Sequence, residues 1–394
     1  MKKQLLHTPE GVRDIYNEEC EKKLLLQSDL LGILKGYGYH PIQTPTFEFF
    51  DIFGKEIGTT PSKELYKFFD REGNTLVLRP DMTPSIARAA AKYFMDEDMP
   101  IRLCYMGNTF INNSSYQGRL KESTQLGAEL IGDSTVDADA EILSMTVECL
   151  QKAGLKDFQL SVGHADFFQG LVEAAGISEE DEEELRELLA NKNFFGVEEF
   201  AETLNLKAEL NELFHMLGSL NVDLNDLKRA KEAAASYPRI LAAIHNLEEL
   251  HKVLEVYGIQ KYISFELGII SSYQYYTGII FAGYTFGTGE PIASGGRYDK
   301  LLGQFGCDKA SIGFSLIVDR LMAAINRQNI TVPVDYSGVL IVYTPDKLLE
   351  AIKQADELRK DGNKVCMIRK NEAKTEAQYE EYAAASQLSD IVYI

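Results

Sequence analysis

The chain has 394 residues, 45% of them hydrophobic and 25% charged, enough for two or three soluble domains with full cores. Its net charge of −20 argues against a nucleic-acid partner, because phosphate binding draws on lysine and arginine to displace counterions. Five scattered cysteines without a C-x-x-C pair argue for free thiols in a reducing compartment, and six histidines without ligand spacing predict no structural metal.

The opening MKKQLLHTPEGVRD starts basic, but Glu10 and Arg13 arrive before an apolar run of signal length. No stretch of about 18 uninterrupted apolar residues offers a membrane span. A cytoplasmic protein without membrane contact is expected. Residues 18–35 read as a helix with Leu24, Leu25, Leu31 and Leu34 on a broad face, ended by Gly36 and Gly38. HPIQTPTFE follows as a strand interrupted by Pro41 and Pro45. KFFDREGNTLVLRPD reads as a hairpin that turns at Asp70–Asn74 into Thr75–Leu78. TPSIARAAAKYF reads as a helix capped by Thr83, with Pro84 at its first position. Arg102–Phe110 and Thr124–Ile131 are predicted strands, and the run Thr109–Gly118 beside them carries no charge.

From about 168 to 255 the segments become rich in Glu, Leu and Ala with helical period, a helical insertion. Its SEEDEEELRELLA starts with a good cap, Ser178, and loads acids into the first turn, as the helix dipole favours. Strands are predicted at Ile263–Ile270 and Ile279–Gly283. The glycine-rich ASGGRYDKLLGQFG lacks the G-K-[ST] of a phosphate-binding loop and reads as a hairpin and loop. A helix is predicted from about Gly313 to Asn326. After the linker VPVDYSGVL the pattern is β-α-β-α-β: VLIVY, a helix from Asp346, KVCMI, a helix from Thr375, and DIVYI. That alternation predicts a small α/β domain with a parallel sheet over 336–394. It carries 8 Lys/Arg and 10 Asp/Glu, and this mildly acidic balance weakly disfavours a grip on RNA.

Four separated pieces matter together: GVRDI (11–15) leading to GYGYHPIQTPTFE; LRPDMTPSIAR (78–88); CYMGNTFINNSSYQGRLKESTQLGAE (104–129); and YQYYTGIIF (273–281), followed by SGGRYD and IGFSLIVDRL (312–321). In this order and at these distances they resemble the catalytic core of histidyl-tRNA synthetase and its paralogues over residues 8–325. The resemblance implies an α+β fold, the class II aminoacyl-tRNA synthetase-like antiparallel sheet core flanked by helices. That core would occupy 1–325, with the helical insertion at about 168–255, and would form a homodimer. The closing domain (336–394) resembles a shortened anticodon-binding domain.

Chemistry separates members of this family. Forming an aminoacyl adenylate needs cations where charge develops on the α-phosphate, and a platform for adenine. The resemblance puts a catalytic arginine after Phe110, where this chain has Ile111. It puts a second at Ser271 and an adenine-stacking phenylalanine at Ser123. Only the late arginine is kept, as Arg320, with Asp319 before it in place of glutamate. Losing one donor of this kind costs about 10²–10³ in rate, so losing two cations and the platform predicts no useful adenylation. The amino-acid side of the family's site is retained: Asp81 and Thr83, Gln125 and Glu129, Tyr275 and Tyr276. Acids suit an ammonium group, and an acid with tyrosine hydroxyls can hold both imidazole nitrogens. The resemblance therefore implies a pocket for free histidine.

With aspartate at position 81, LRPDMTPSIAR resembles a non-catalytic paralogue family, the regulatory subunits of ATP phosphoribosyltransferase in the first step of histidine biosynthesis. That resemblance implies a partner, the short-form ATP phosphoribosyltransferase catalytic subunit, in a hetero-octamer. It also implies that the catalytic subunit needs the chain for activity and that histidine feeds back through the complex. No cofactor, metal or catalytic residue is expected. The alternatives are a divergent histidyl-tRNA synthetase and a synthetase-like histidine sensor outside that pathway.

Overall fold

The computed structural model describes residues 6–54, 60–113, 120–204, 206–271, 275–334 and 337–394. Contacts group the chain into two compact units, Met1–Asp14 with Leu26–Thr331, and Ile15–Leu25 with Val332–Ile394.

Helix α1 (Asn17–Gly36) has Glu18 and Glu19 in its first turn and Lys35 in its last, the charge order its dipole favours. Leu26, Leu30 and Leu34, one turn apart, are its buried leucines, whereas Leu24 from the expected face is exposed. The proline-interrupted segment after it forms two strands in two different sheets. Strand β1 (His40–Pro41) runs parallel to the edge of the large sheet. Strand β2 (Phe47–Phe49) joins β3 (Lys67–Phe69) and β4 (Thr75–Leu78) in a small antiparallel sheet ordered β2-β4-β3. The β3–β4 hairpin is the expected one, and the Asp70 carboxylate closes its turn by accepting from the Asn74 backbone and side chain at 2.8 Å each.

Helix α2 (Thr83–Tyr93) starts differently from its sequence reading. Thr83 and Pro84 are inside the helix, the cap position belongs to Met82, and no side chain of Met82 caps it. Strands β5 (Ile101–Phe110) and β6 (Glu122–Ile131) form a long antiparallel pair, followed by α3 (Val136–Lys152) and β7 (Phe158–His164). Six helices come next: α4 (Ala165–Ala175), α5 (Glu179–Ala190), α6 (Phe194–Thr203), α7 (Ala208–Leu217), α8 (Leu224–Ala233) and α9 (Pro238–Tyr257). Ser178 caps α5, its hydroxyl accepting from the Asp181 amide at 3.2 Å.

Strand β8 (Ile263–Phe265) is shorter than the predicted Ile263–Ile270, because the backbone turns at Glu266, whose carbonyl accepts from the Ile269 amide. Strand β9 (Ile279–Thr285) pairs antiparallel with β10 (Ala293–Arg297), the expected hairpin; its glycine-rich arm is a central strand of the sheet, and the piece runs on from it into turn and loop. The predicted helix from Gly313 is also corrected. Residues Ser311–Ile317 form β11, with Ile312, Phe314 and Leu316 alternating in strand period, and α10 (Val318–Arg327) starts only after it. The large sheet is ordered β1-β5-β6-β11-β10-β9-β7-β8. Six of its strands, β5 to β7 in that order, pair antiparallel, and β1 and β8 add parallel edges. This is the α+β, class II synthetase-like architecture expected from the sequence.

The second unit contains β12 (Gly338–Tyr343), α11 (Leu348–Lys360), β13 (Lys364–Arg369), α12 (Glu376–Ala385) and β14 (Asp390–Tyr393). Its sheet is parallel, ordered β13-β12-β14. Alternation along β12 builds two cores. Val339 and Ile341 pack on Ala351 and Ala355 of α11, and Leu340 and Val342 pack on Tyr379 and Ala383 of α12. No helix among the described residues is long and apolar enough to cross a membrane.

Candidate functional site

Strand period places Gln125 and Glu129 on the same side of β6, and both are buried. Thr83, on the first turn of α2, donates from its hydroxyl to Glu129 Oε1 at 2.9 Å. Its side chain thus serves the site instead of capping the helix. Asp81, just before α2, does the capping: its Oδ1 accepts from the Met82 amide at 2.8 Å, and the Thr83 amide also bonds to the carboxylate. Tyr275 and Tyr276 meet with ring centroids 4.8 Å apart. A small pocket is lined by Asp81, Thr83, Glu129, Tyr275 and Tyr276, so five of the six predicted residues line one cavity. The sixth, Gln125, is not in its lining but acts on the Asp81 carboxyl through a side-chain hydrogen bond. Residues 272–274 of the SSYQYYTG segment and 114–119 of the FINNSSYQGR stretch lie outside the described residues.

Two tyrosines near Glu129, Tyr298 in the pocket wall and Tyr105 behind it, lie outside the motif reading. The Tyr298 hydroxyl donates to Glu129 Oε2 at 2.5 Å, and its ring stands edge-on to Tyr275 at 5.8 Å. The buried Tyr105 hydroxyl donates to the Phe314 carbonyl at 3.4 Å and sits near enough to Glu129 to help hold its carboxyl down. Tyr298 sits in SGGRYD, a piece whose glycines suggested a loop. Tyr105 lies on β5 beside β6, where strand alternation alone could have flagged it.

The floor is made by glycines where strands approach. Gly313 lies opposite Glu129 in the β6–β11 pair, and a Cβ there would overlap the Glu129 carboxylate. A Cβ on Gly296 would come 2.8 Å from the Tyr276 ring. The site's two largest claims on space, a carboxylate and an aromatic ring, lie over residues without side chains.

Burial sets the electrostatics. Desolvation pushes the Glu129 carboxyl up to about 8, against the pull of hydrogen bonds from Tyr298 and Thr83. Desolvation likewise pushes Asp81 up to about 6, while its backbone and Gln125 hydrogen bonds pull it down. No lysine or arginine lines the pocket among the described residues. Asp81 Oδ2 and Gln125 Oε1 are buried and have no hydrogen-bond partner in the structure. Such acceptors are costly to leave unmet, and a ligand donor entering the pocket would satisfy the one on Asp81, which lines it. The arrangement suits a small cation with several N–H donors.

The family comparisons agree with this architecture. The family described as histidyl-tRNA synthetase matches residues 11–321. The ATP phosphoribosyltransferase regulatory subunit of Acetivibrio thermocellus is 38% identical over 360 residues, 91% of this chain and 85% of that protein. The same-named protein of Ruminiclostridium cellulolyticum is also 38% identical, over 100% of this chain and 93% of its own. The chain belongs to the histidyl-tRNA synthetase-like family of ATP phosphoribosyltransferase regulatory subunits. A crystal structure described as an ATP phosphoribosyltransferase regulatory subunit/histidyl-tRNA synthetase from Bacillus halodurans superimposes with a TM-score of 0.85. It is 31% identical and covers 99% of this chain and 98% of its own. Histidyl-tRNA synthetase from Nostoc sp. PCC 7120, 20% identical with a TM-score of 0.78, shares the fold over 97% of this chain and 89% of its own.

The positions where the sequence departs from the expected synthetase pattern sit in defined local surroundings. Ile111 follows directly after β5, its amide donating to the Lys121 carbonyl at 2.9 Å. Ser123 faces Thr109 across the β5–β6 pair, with hydroxyls 3.2 Å apart. Ser271 lines a larger cleft that shares Tyr275 and Tyr276 with the pocket. Arg320, the retained cation, is ion-paired with Glu290 and donates to the Pro291 carbonyl at 2.9 Å. Asp319 accepts from the Thr124 amide at 2.7 Å. The Ser123, Asp319 and Arg320 side chains serve the fold's own polar groups.

Proposed function

We propose that the chain is a non-catalytic regulatory subunit of ATP phosphoribosyltransferase, acting in the first step of histidine biosynthesis and binding free histidine at Asp81, Thr83, Gln125, Glu129, Tyr275 and Tyr276. The observation that carries the reading is the 38% identity, over nine-tenths or more of the chain, to proteins named as that subunit. The pocket supports the ligand: two acids and tyrosine hydroxyls suit the ammonium and ring nitrogens of histidine. The absence of arginine at 111 and 271 supports a chain that binds an amino acid without activating it.

In this reading a short catalytic subunit gains activity on joining the chain, in a hetero-octamer built on homodimers. Exposed Phe47, Phe49, Phe68 and Phe69 on the β2-β4-β3 sheet support self-association through the core. Feedback follows if histidine binds the inhibited assembly more tightly than the active one; equal affinity would shift nothing. Coupling of about 1–3 kcal/mol is the usual size of such an effect.

The test mixes the purified chain with a short-form catalytic subunit and follows phosphoribosyl transfer to ATP. Transfer should rise on mixing and fall with added histidine. No rise, or a rise insensitive to histidine, would sink the proposal. The matched family description favours one second reading, a divergent histidyl-tRNA synthetase. Histidine-dependent pyrophosphate exchange into ATP above background would establish it instead.

A further inference from the structure

We propose that the pocket recognises the imidazole and the ammonium group of its ligand but not the carboxylate, so that imidazole amines lacking a carboxylate, such as histidinol and histamine, bind at least as well as histidine. The inference rests on the histidine reading of the same pocket and narrows its ligand class.

Charge balance carries it. Two buried acids, Asp81 and Glu129, face the cavity, and no lysine or arginine lines it among the described residues. The unmet acceptor Asp81 Oδ2, on a residue of the cavity wall, calls for a donor, which an ammonium or an imidazole N–H supplies and a carboxylate does not. The remaining polar side chains of the lining are neutral. Ser294 and Ser315, paired across β10 and β11, both lie in the wall. A serine hydroxyl serves an alcohol as well as a carboxylate, since it both donates and accepts.

Four neighbouring arginines are already engaged, and Lys300 lines the larger cleft beyond the tyrosines rather than the pocket itself. Arg320 is held by Glu290, and Arg297 by Asp139 at 2.6 Å. Across the shared tyrosines, Arg239 is paired with Asp166 and Glu173, and Arg186 with Glu182 at 2.7 Å. Histidine brings its carboxylate, a negative charge, into a region that already holds two acids. Histidinol and histamine bring a net positive charge and leave nothing that needs a cation. A site that relied on the carboxylate would pair it with a fork of guanidinium donors, as such sites commonly do.

The experiment is calorimetric titration of the full chain with four probes: L-histidine, L-histidinol, histamine and imidazolepropionate. The last keeps the ring and the carboxylate but lacks the ammonium. Histidinol and histamine should bind as tightly as histidine or tighter, and imidazolepropionate about tenfold or more weaker, the usual loss with one charged hydrogen bond. Histidine binding about tenfold or more tighter than both amines would overturn the inference while leaving the histidine pocket standing. Failure of all four to bind would overturn the pocket assignment itself and the inference with it.

Discussion

Gly313 and Glu129 face each other across the β6–β11 pair, and the Glu129 carboxylate occupies the space where a Cβ of residue 313 would be. Gly313→Ala should therefore displace Glu129 from Tyr298 and Thr83. Overpacking of this kind costs about 1–3 kcal/mol of stability. The expected outcome is loss of the histidine titration heat with a modest fall in melting temperature. Unchanged binding would show that Glu129 does not hold the ligand.

The pH dependence of stability offers a second test. Glu129 in the fold titrates at about 8 and Asp81 at about 6, both above their unfolded values of about 4.3 and 3.9. The folded state therefore holds more protons than the unfolded one in between. Stability present below pH 4 is lost as pH rises through 6 and then 8. Glu129→Gln keeps the side chain's shape and removes one of these losses. Thermal melts should show the variant gaining on the wild type between pH 6 and pH 9, and binding little histidine throughout. A difference in melting temperature that does not change with pH would contradict the assignment.

Ligand binding should release protons. At pH 7 the empty pocket holds Glu129 mostly protonated and Asp81 mostly ionised. A cationic ligand favours the ionised form of Glu129, so affinity should rise about fivefold between pH 7 and pH 8. Calorimetry in two buffers of different ionisation enthalpy would report the released proton. Identical heats in both buffers would mean that Glu129 stays protonated in the complex.

Arg320 provides a control. Its partner Glu290 is as exposed as it is, both side chains at 37%, and pairs this accessible contribute about 1 kcal/mol or less. Arg320→Ala should leave histidine affinity unchanged and shift the denaturation midpoint only slightly. A large loss of histidine affinity would mean that this arginine still serves a ligand.

Much of the fold was legible wherever local preference and tertiary context agree. The apolar run of β5 and β6, the β3–β4 hairpin and the alternating C-terminal pattern are all of this kind. The misreadings cluster around the pocket. Ala293–Arg297 is a central strand although glycine is a poor strand former, because the chains there pass too close for side chains. Ser311–Ile317 runs directly into α10 with no residue between them, and only the alternation of Ile312, Phe314 and Leu316 marks the strand. Thr83 carries a good capping side chain, yet its hydroxyl goes to a residue far away in sequence that no local rule could name. Tyr298 was hidden for the same reason, its partner lying on another strand.

The first turns of α1, residues 15–25, belong to the same compact unit as Val332–Ile394. Lys364 on β13 lies 3.6 Å from Glu21 on that helix. The small unit is thus stitched from two distant parts of the polypeptide. Clipping the chain after Thr331 would strip these turns of their neighbours, and expressing 332–394 alone would leave them out. A graft onto another scaffold would need two splice points, and so would any evolutionary gain or loss of the unit in its present form.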